Sequence, residues 1–181
     1  MSPEPKPESR AVQIVQLNAA ALAALAANDL EAANRHSPVP LGPFFVSTNQ
    51  DAGRQNTVWQ RRSRQILEDP ASAGWITGVI WDVERQLAVG RAGYHGPPDE
   101  HGMVEVGYEI DVELRRQGYA RAAFEKLLQR AREEPEVRVL RATIAPENEA
   151  SYRLVSQYGL VKVGEQWDEE DGLEIVYELE L

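Results

Sequence analysis

Residues 115–120 read Arg-Arg-Gln-Gly-Tyr-Ala, and this stretch decides how the rest of the chain is interpreted. It follows a strand-like run at 104–110 and precedes an amphipathic stretch typical of an α-helix. A strand, a short glycine turn and a helix start form a common phosphate-binding arrangement, because the first N–H groups of a helix have no intrahelical acceptor and carry partial positive charge. Gly118 has no Cβ, so an anion can approach the backbone closely there. The arginines that add charge around this predicted site are Arg115, Arg116 and Arg121.

An amphipathic helix is expected directly after this turn. Its apolar residues recur at i, i+3, i+4, i+7, i+8 and i+11, which is one face of a helix with a period of 3.6. Six basic residues and one acidic residue lie between residues 114 and 132, whereas the whole chain has a net charge of −10. Such a basic island is either the solvent face of a surface helix or the surroundings of an anionic ligand, and the turn chemistry favours the ligand. The apolar face consists of Ala120, Ala123, Phe124, Leu127, Leu128 and Ala131.

The pattern Arg115-x-x-Gly118-x-Ala120 resembles the acetyl-CoA signature of the GNAT N-acetyltransferase superfamily, R/Q-x-x-G-x-G/A. The run at 104–110 is similar to the strand that precedes this signature in the ribosomal-protein alanine acetyltransferase branch. Downstream, residues 148–151 and 158–160 resemble the N-x-x-S and GF segments of that branch, with Leu160 in place of phenylalanine, so the resemblance covers roughly residues 75–181. It implies an α/β domain of the GNAT fold, with a mixed, mostly antiparallel central sheet of six to seven strands flanked by helices.

The resemblance also implies the chemistry: transfer of an acetyl group from acetyl-CoA to a primary amine, either a protein N-terminus or a small cationic amine. A backbone N–H at the end of the strand, residues 110–112, would stabilise the negative charge on the carbonyl oxygen. A proton donor would assist the departing thiolate, and a base would neutralise an ammonium acceptor. The residues expected to contact acetyl-CoA are Ile110, Asp111, Val112, Arg115, Arg116, Gln117, Gly118, Tyr119, Ala120, Arg121, Asn148 and Tyr152.

Ser151 is the predicted acid, one turn after Asn148. The alternative is an ordinary serine in the first turn of a helix that Asn148 caps. Val155 occupies the position where many GNAT enzymes have a catalytic tyrosine, so Tyr152 and Tyr158 are the alternative donors.

Glu105, on the strand beside the turn, is the predicted base; its alternatives are an outward-facing strand residue or the partner of a buried arginine. A second candidate is Glu170, the gapless match to a glutamate that serves as base in the alanine-acetyltransferase branch. It belongs to a segment, 164–181, with eight acidic and no basic residues. This segment is either a solvated hairpin or an attractor for a cationic amine.

Length and composition predict a single domain over residues 11–181 after a proline-rich, disordered leader at 1–10. The chain has no cysteine, which excludes disulfides and thiolate chemistry and is compatible with the cytoplasm. No apolar run suits a membrane helix, the acidic balance argues against nucleic-acid binding, and no histidine pair has metal-ligand spacing. The oligomeric state stays open, a homodimer included. The alternative to an enzyme is a catalytically silent GNAT-fold module that binds acyl-CoA as a sensor.

Periodicity and turn residues also predict the order of the elements. Helices are expected at 19–35, 56–67 and 148–157, besides the helix that follows the turn. Strands are expected at 11–16, 74–82, 86–94, 103–110 and 137–144, followed by an antiparallel pair at 162–167 and 173–181.

Overall fold

A seven-stranded sheet forms the centre of the computed structural model, which describes residues 10–47, 54–169 and 171–181. The strands are β1 (Val12–Val15), β2 (Gly78–Asp82), β3 (Leu87–Tyr94), β4 (Met103–Ile110), β5 (Val139–Ile144), β6 (Val161–Asp168) and β7 (Gly172–Glu180). Their order across the sheet is β1-β2-β3-β4-β5-β7-β6, and β4 and β5 form the one parallel pair within the described sheet. The predicted mixed, mostly antiparallel sheet of six to seven strands is confirmed.

Within the described ranges five α-helices flank the sheet: α1 (Ala19–Ala26), α2 (Leu30–His36), α3 (Arg54–Glu68), α4 (Tyr119–Glu133) and α5 (Glu149–Ser156). Short 3₁₀ turns lie at Pro43–Phe45, Pro70–Gly74 and Val112–Leu114. None of the helices in the described ranges combines the length and apolar character that a membrane crossing needs.

Two expectations about element boundaries are wrong. The single helix predicted at 19–35 is two helices, because Asn28 adopts a left-handed conformation with φ 60° and Asp29 caps α2, accepting a 2.9 Å hydrogen bond from the Ala32 N–H. The strand predicted from residue 74 begins at Gly78 instead. Asp69 caps a 3₁₀ turn before it, and Pro70 at the first position of that turn cannot donate to a sheet.

Two apolar clusters lie on opposite faces of the sheet. The larger one packs α4 and α5 against inward-facing residues of β3, β4 and β5; its fully buried members include Val89, Tyr94, Phe124, Leu140 and Val155. The smaller one packs α1 and α3 against the other face, around Leu22, Leu25, Phe45, Trp59 and Val79. Alternation along each strand sends neighbouring residues to opposite faces, so β4 presents Val104 and Val106 to α4 and Glu105 to the α3 side.

The parallel pair separates before its strands end. Pairing runs from Met103 opposite Val139 to Val106 opposite Ala142, and beyond that point no β4–β5 pair is formed within the described sheet. Residues 107–110 of β4 remain paired with β3 alone. Because both strands point the same way, the helices that follow them, α4 and α5, begin on either side of this gap.

Candidate functional site

The turn before α4 presents a helix N-terminus without a side-chain cap. Gly118 occupies the N-cap position with φ 87°, and no side chain accepts from the first N–H groups of α4. Arg116 is also left-handed, with φ 61°. A Cβ at Gly118 would find only Arg10 Cγ nearby, at 3.8 Å, so the space over the glycine is open. The N–H groups at residues 119–121 therefore have no intrahelical acceptor and suit an anion.

Tyr119 fixes this turn from below. Its hydroxyl donates a 2.6 Å hydrogen bond to the buried Asp82 carboxylate and receives one from Arg85 at 2.8 Å. Burial alone would raise the pKa of Asp82, but the Tyr119 hydroxyl, the backbone N–H groups of Arg85 and Glu84 and the Arg85 charge together lower it. The side chain of Tyr119 thus points into the protein, and only its backbone N–H faces the open side of the turn.

The basic side chains around the turn divide into two groups. Arg115 donates to the Ile110 carbonyl at 3.1 Å, and Arg121 donates to Gln157 at 2.7 Å and to the Tyr158 hydroxyl at 3.2 Å, which links α4 to α5. Arg116 is exposed and makes no hydrogen bond to any described residue. Of the two arginines at the start of the turn, Arg116, next to the signature residue Arg115, is therefore the one whose side chain is available to an anionic ligand.

Arg10 and Gln117 close the other side of the turn. Arg10, which was assigned to the disordered leader, donates to the Gln117 carbonyl at 3.0 Å and lies over the Tyr119 ring at 5.3 Å. Residues 1–9 lie outside the described residues. Ala120 is half buried at the start of α4, and its side chain packs against the larger apolar cluster.

Backbone N–H groups line the gap between β4 and β5. Asp111 donates its N–H to the Val89 carbonyl on β3 at 3.0 Å. Since alternate residues of an antiparallel strand donate to the same neighbour, the N–H groups of Tyr108 and Ile110 point to the opposite side, where pairing with β5 has ended. Val112 is exposed in a 3₁₀ turn. Of the predicted residues at this strand end, Ile110 directs its N–H into the gap, and Asp111 directs its N–H to β3.

A buried hydroxyl faces α5 across the same gap. Burial raises the pKa of Tyr108, and the nearby Ser151 side chain offsets part of that rise. The Tyr108 oxygen is buried and forms no hydrogen bond of normal geometry with a described residue. Ser151 is half buried in the first turn of α5, where its backbone N–H donates to the Asn148 side chain at 3.2 Å. Two hydroxyl groups thus lie side by side on the α4–α5 face.

The other predicted residues near α5 have partners within the fold. The Tyr158 hydroxyl donates to Glu125 at 2.5 Å and its ring packs on Phe124. Tyr152 is exposed and its ring lies 5.4 Å from that of Tyr177. Among these tyrosines, Tyr108 is the one whose hydroxyl interacts with the Ser151 side chain. The sequence-based prediction did not include Tyr108.

Glu105 lies on the opposite face of β4, next to a histidine. Its carboxylate accepts from the Thr143 hydroxyl at 2.7 Å and lies 3.4 Å from His95 Nδ1. Burial lowers the pKa of His95, Arg62 and Arg61 lower it further, and Glu105 and Asp168 act in the opposite sense. A Cβ on Gly107 would lie only 3.0 Å from His95 Nε2. The His95 ring therefore packs against Gly107, the first residue of β4 beyond its pairing with β5. On the other side of the ring, Nδ1 faces the Glu105 carboxylate.

An arginine is buried above this pair. Arg62 is only 6% exposed and donates to the Thr77 hydroxyl at 3.1 Å, to the Gln65 side chain at 2.9 Å and to the His95 carbonyl at 3.3 Å. Burial, together with the charges of Arg61 and Arg91, lowers the pKa of Arg62 to about 10. A buried arginine is one of the partners predicted for Glu105. Arg62 on α3 is buried near Glu105, but its printed hydrogen bonds go to other residues. Arg91 pairs instead with Glu109 on the neighbouring strand.

Arg62, His95 and Tyr108 are the residues that sequence reasoning missed. A signal for Arg62 exists, because it lies three residues after Trp59 and four before Ile66, on the buried face of α3. His95 follows β3 directly, and no sequence pattern pairs it with Glu105. Glu170, the second candidate base, lies outside the described residues. In the described ranges no cluster of three metal-ligand side chains was found.

Comparisons with known proteins agree with this geometry. The family described as "Acetyltransferase (GNAT) domain" matches residues 13–161. An uncharacterized N-acetyltransferase of Bacillus subtilis (strain 168), YjdG, is 29% identical over 99 residues, which are 54% of this chain and 59% of that protein. The chain therefore aligns with little more than half the length of this relative.

Solved structures share the fold across nearly the whole chain. A ribosomal-protein-alanine N-acetyltransferase from Brucella melitensis superposes with a TM-score of 0.57 at 22% identity, covering 94% of this chain and 99% of that one. A spermidine N-acetyltransferase chimera of SpeG from Vibrio cholerae and hSSAT gives a TM-score of 0.61 at 15% identity, covering 93% and 95%. At such identities the likeness concerns the fold, and the two titles name different acceptors.

Proposed function

Because the chain belongs to the GNAT acetyltransferase family, we propose that it transfers the acetyl group of acetyl-CoA to a primary amine. One observation supports this proposal most: the uncapped N-terminus of α4 opens beside the gap where the N–H groups of Tyr108 and Ile110 face away from β3. An anion-binding helix end and a row of backbone donors are what a pyrophosphate followed by an amide-containing arm requires.

The residues of the turn fit the pyrophosphate end of acetyl-CoA. The N–H groups at residues 119–121 would bind the phosphate oxygens, with Gly118 giving close access and Arg116 adding charge. The Ile110 or Tyr108 N–H would polarise the thioester carbonyl. Bound acetyl-CoA would then supply an activated acetyl group in the gap between β4 and β5.

The acid and the base lie on opposite faces of the sheet in this proposal. An ammonium acceptor loses a proton to the Glu105–His95 pair, whose imidazole is neutral because its pKa is lowered. The amine nitrogen forms a bond to the carbonyl carbon, and the carbon–sulfur bond breaks. The Ser151 hydroxyl, beside Tyr108, gives its proton to the departing thiolate and takes up the proton that the nitrogen loses.

A free-thiol assay with acetyl-CoA and a panel of primary amines tests the proposal. Amine-dependent release of CoA, with the acetylated amine detected by mass spectrometry, is the expected result. Binding of CoA in calorimetry without turnover of any amine would contradict it and would favour the silent acyl-CoA sensor.

A further inference from the structure

A pocket opens at the β1 edge of the sheet, on the face that α4 covers. Its volume is about 360 Å³, within the range of small-molecule sites, roughly 300–1,000 Å³. Leu127 in its wall lies nine residues after Gly118 on α4, or about 14 Å along the helix axis. In the order of the strands β1 lies three places from β4, so the gap between β4 and β5 is not part of this pocket. The pocket is therefore separate from the turn and the gap that the proposed acetyl transfer uses.

The body of the pocket is apolar and aromatic. Ile14 on β1 packs against the larger apolar cluster, and strand alternation sends Gln16, directly after β1, to the same face. Leu127 forms the α4 wall opposite them. The floor consists of the rings of Trp75 and Tyr94, whose centroids lie 5.4 Å apart. A ligand that fills this space presents mainly apolar surface to it.

A buried hydrogen-bond acceptor in the pocket wall has no donor. The Oε1 atom of the Gln16 side chain is buried and accepts no hydrogen bond from a described residue. Nearly all buried polar side-chain atoms in proteins have a partner, and an amide oxygen can accept two hydrogen bonds. The Tyr94 hydroxyl cannot serve, because it donates its proton to the Leu127 carbonyl at 2.6 Å. An O–H or N–H group of a ligand in the pocket would satisfy this oxygen.

The opposite wall of the pocket is positively charged. Its ten lining residues include two basic side chains and no acidic one. Arg130 lies over the Trp75 ring at 4.4 Å and already forms an ion pair with Glu134 at 3.4 Å. Lys126, one turn earlier on α4, is exposed and has neither a hydrogen bond nor an ion pair in the described part of the chain. A single unpaired ammonium group suits a singly charged anion such as a carboxylate.

We infer that this pocket binds an apolar carboxylate that carries a hydroxyl or N–H group at its other end. The donor group binds the Gln16 Oε1 atom, the apolar body packs on Ile14, Trp75 and Leu127, and the carboxylate pairs with Lys126. This ligand is neither acetyl-CoA nor the acetyl acceptor, because its site shares only the helix α4 with theirs. It binds at the same time as acetyl-CoA.

Matched aromatic acids test the ligand class. The probes are 4-hydroxybenzoate, 4-hydroxyphenylacetate and 3-(4-hydroxyphenyl)propanoate, which differ in the distance between hydroxyl and carboxylate. Each has two controls, the same acid without its hydroxyl group and the methyl ester of the hydroxy acid. In calorimetry at least one hydroxy acid should bind about tenfold or more tightly than both of its controls, since each control lacks one polar contact.

The same titrations contain the results that would overturn the inference. Affinity for that hydroxy acid should be equal with and without saturating acetyl-CoA. Displacement by acetyl-CoA would place the acid in the cofactor site instead. Controls that bind as tightly as the hydroxy acids at every length, or no binding by any probe at millimolar concentration, would contradict the ligand class.

Two substitutions assign the two ends of the ligand. Lys126→Gln should weaken binding of the preferred hydroxy acid about tenfold and leave binding of its methyl ester unchanged. Gln16→Leu should abolish the preference for the hydroxy acid over the acid without a hydroxyl group. Arg132→Gln is the control, because Arg132 is exposed on α4 like Lys126 but does not line the pocket. Wild-type affinity in Lys126→Gln, or an equal loss in Arg132→Gln, would show that the carboxylate does not bind in this pocket.

Discussion

The two ends of the site recognise charge in different ways. Around Gly118 an anion would meet backbone N–H groups of consecutive residues, positioned by one left-handed glycine and a helix start. Around Glu105 the charged groups are side chains from separate elements, with Arg62 on α3, His95 directly after β3 and Asp168 at the end of β6. The first arrangement depends on local conformation and the second on packing across the sheet. We therefore expect a substitution at the turn to abolish acetyl-CoA binding, and a substitution around Glu105 to lower kcat while acetyl-CoA still binds.

The largest effect is expected from Gly118→Val. A β-branched residue at φ 87° is strained and its branches fill the open space over the turn, so acetyl-CoA should not bind. Thermal unfolding with ligand at a hundredfold excess over its dissociation constant should stabilise the wild type by roughly 2.7 kcal/mol and the variant not at all. Gly164→Val, where an added side chain meets nothing within 4 Å, is the control and should respond like the wild type. Equal stabilisation of both variants would remove the turn from the cofactor site.

Glu105→Gln should lower kcat by roughly 10²-fold or more, the usual contribution of a general base, with little change in the KM of acetyl-CoA. The carboxylate raises the pKa of His95, so the acid limb of the pH–rate profile should also move to lower pH in the variant. Glu133→Gln, exposed near the end of α4, serves as the control. An unchanged kcat would exclude the pair as the base.

A smaller loss separates the two hydroxyl groups on the other face. Ser151→Ala should reduce kcat about tenfold, or about 1.4 kcal/mol of barrier, because a thiolate leaves readily even without full protonation. Tyr108→Phe is the matched comparison, since it removes only the buried oxygen. Single-turnover rates decide between them: a greater loss in Tyr108→Phe would make the tyrosine the donor and Ser151 its neighbour.

The last expected effect is on stability rather than on turnover and concerns the support beneath the turn. Asp82→Asn should lower the free energy of unfolding at neutral pH by about 1.5–3 kcal/mol, since the charged acceptor of Tyr119 and Arg85 is lost. The folded-state pKa of Asp82 lies below 3.8, so the wild type should lose this stabilisation as pH falls below that value, because the unfolded chain takes up the proton first. Urea unfolding between pH 7 and pH 2 should show the two proteins converging at the acid end. A constant difference would mean that Asp82 does not titrate in this way.

The contrast between the two ends also explains which features of the fold and the site could be predicted from the sequence. Gly118 and the apolar face of α4 lie within fourteen residues, so periodicity and turn chemistry predict the helix and an anion site at its start. The helix is confirmed, and the anion site stays a prediction. The strands follow from short apolar stretches bounded by turn residues. Glu105 and His95 come together because β3 and β4 pair in one particular register, and no local pattern encodes that register. Tyr108 was missed because its role depends on where β5 leaves β4, which is a property of two strands more than thirty residues apart.

The contact between Arg10 and the turn has a practical consequence for handling the protein. Arg10 donates to the Gln117 carbonyl and covers Tyr119, so a tag fused directly to Arg10, in place of residues 1–9, would begin beside the proposed cofactor site. Leu181, at the other terminus, donates its N–H to Arg138 just before β5, at the end of the sheet remote from the gap. A tag fused to Leu181 would therefore start away from the proposed cofactor site.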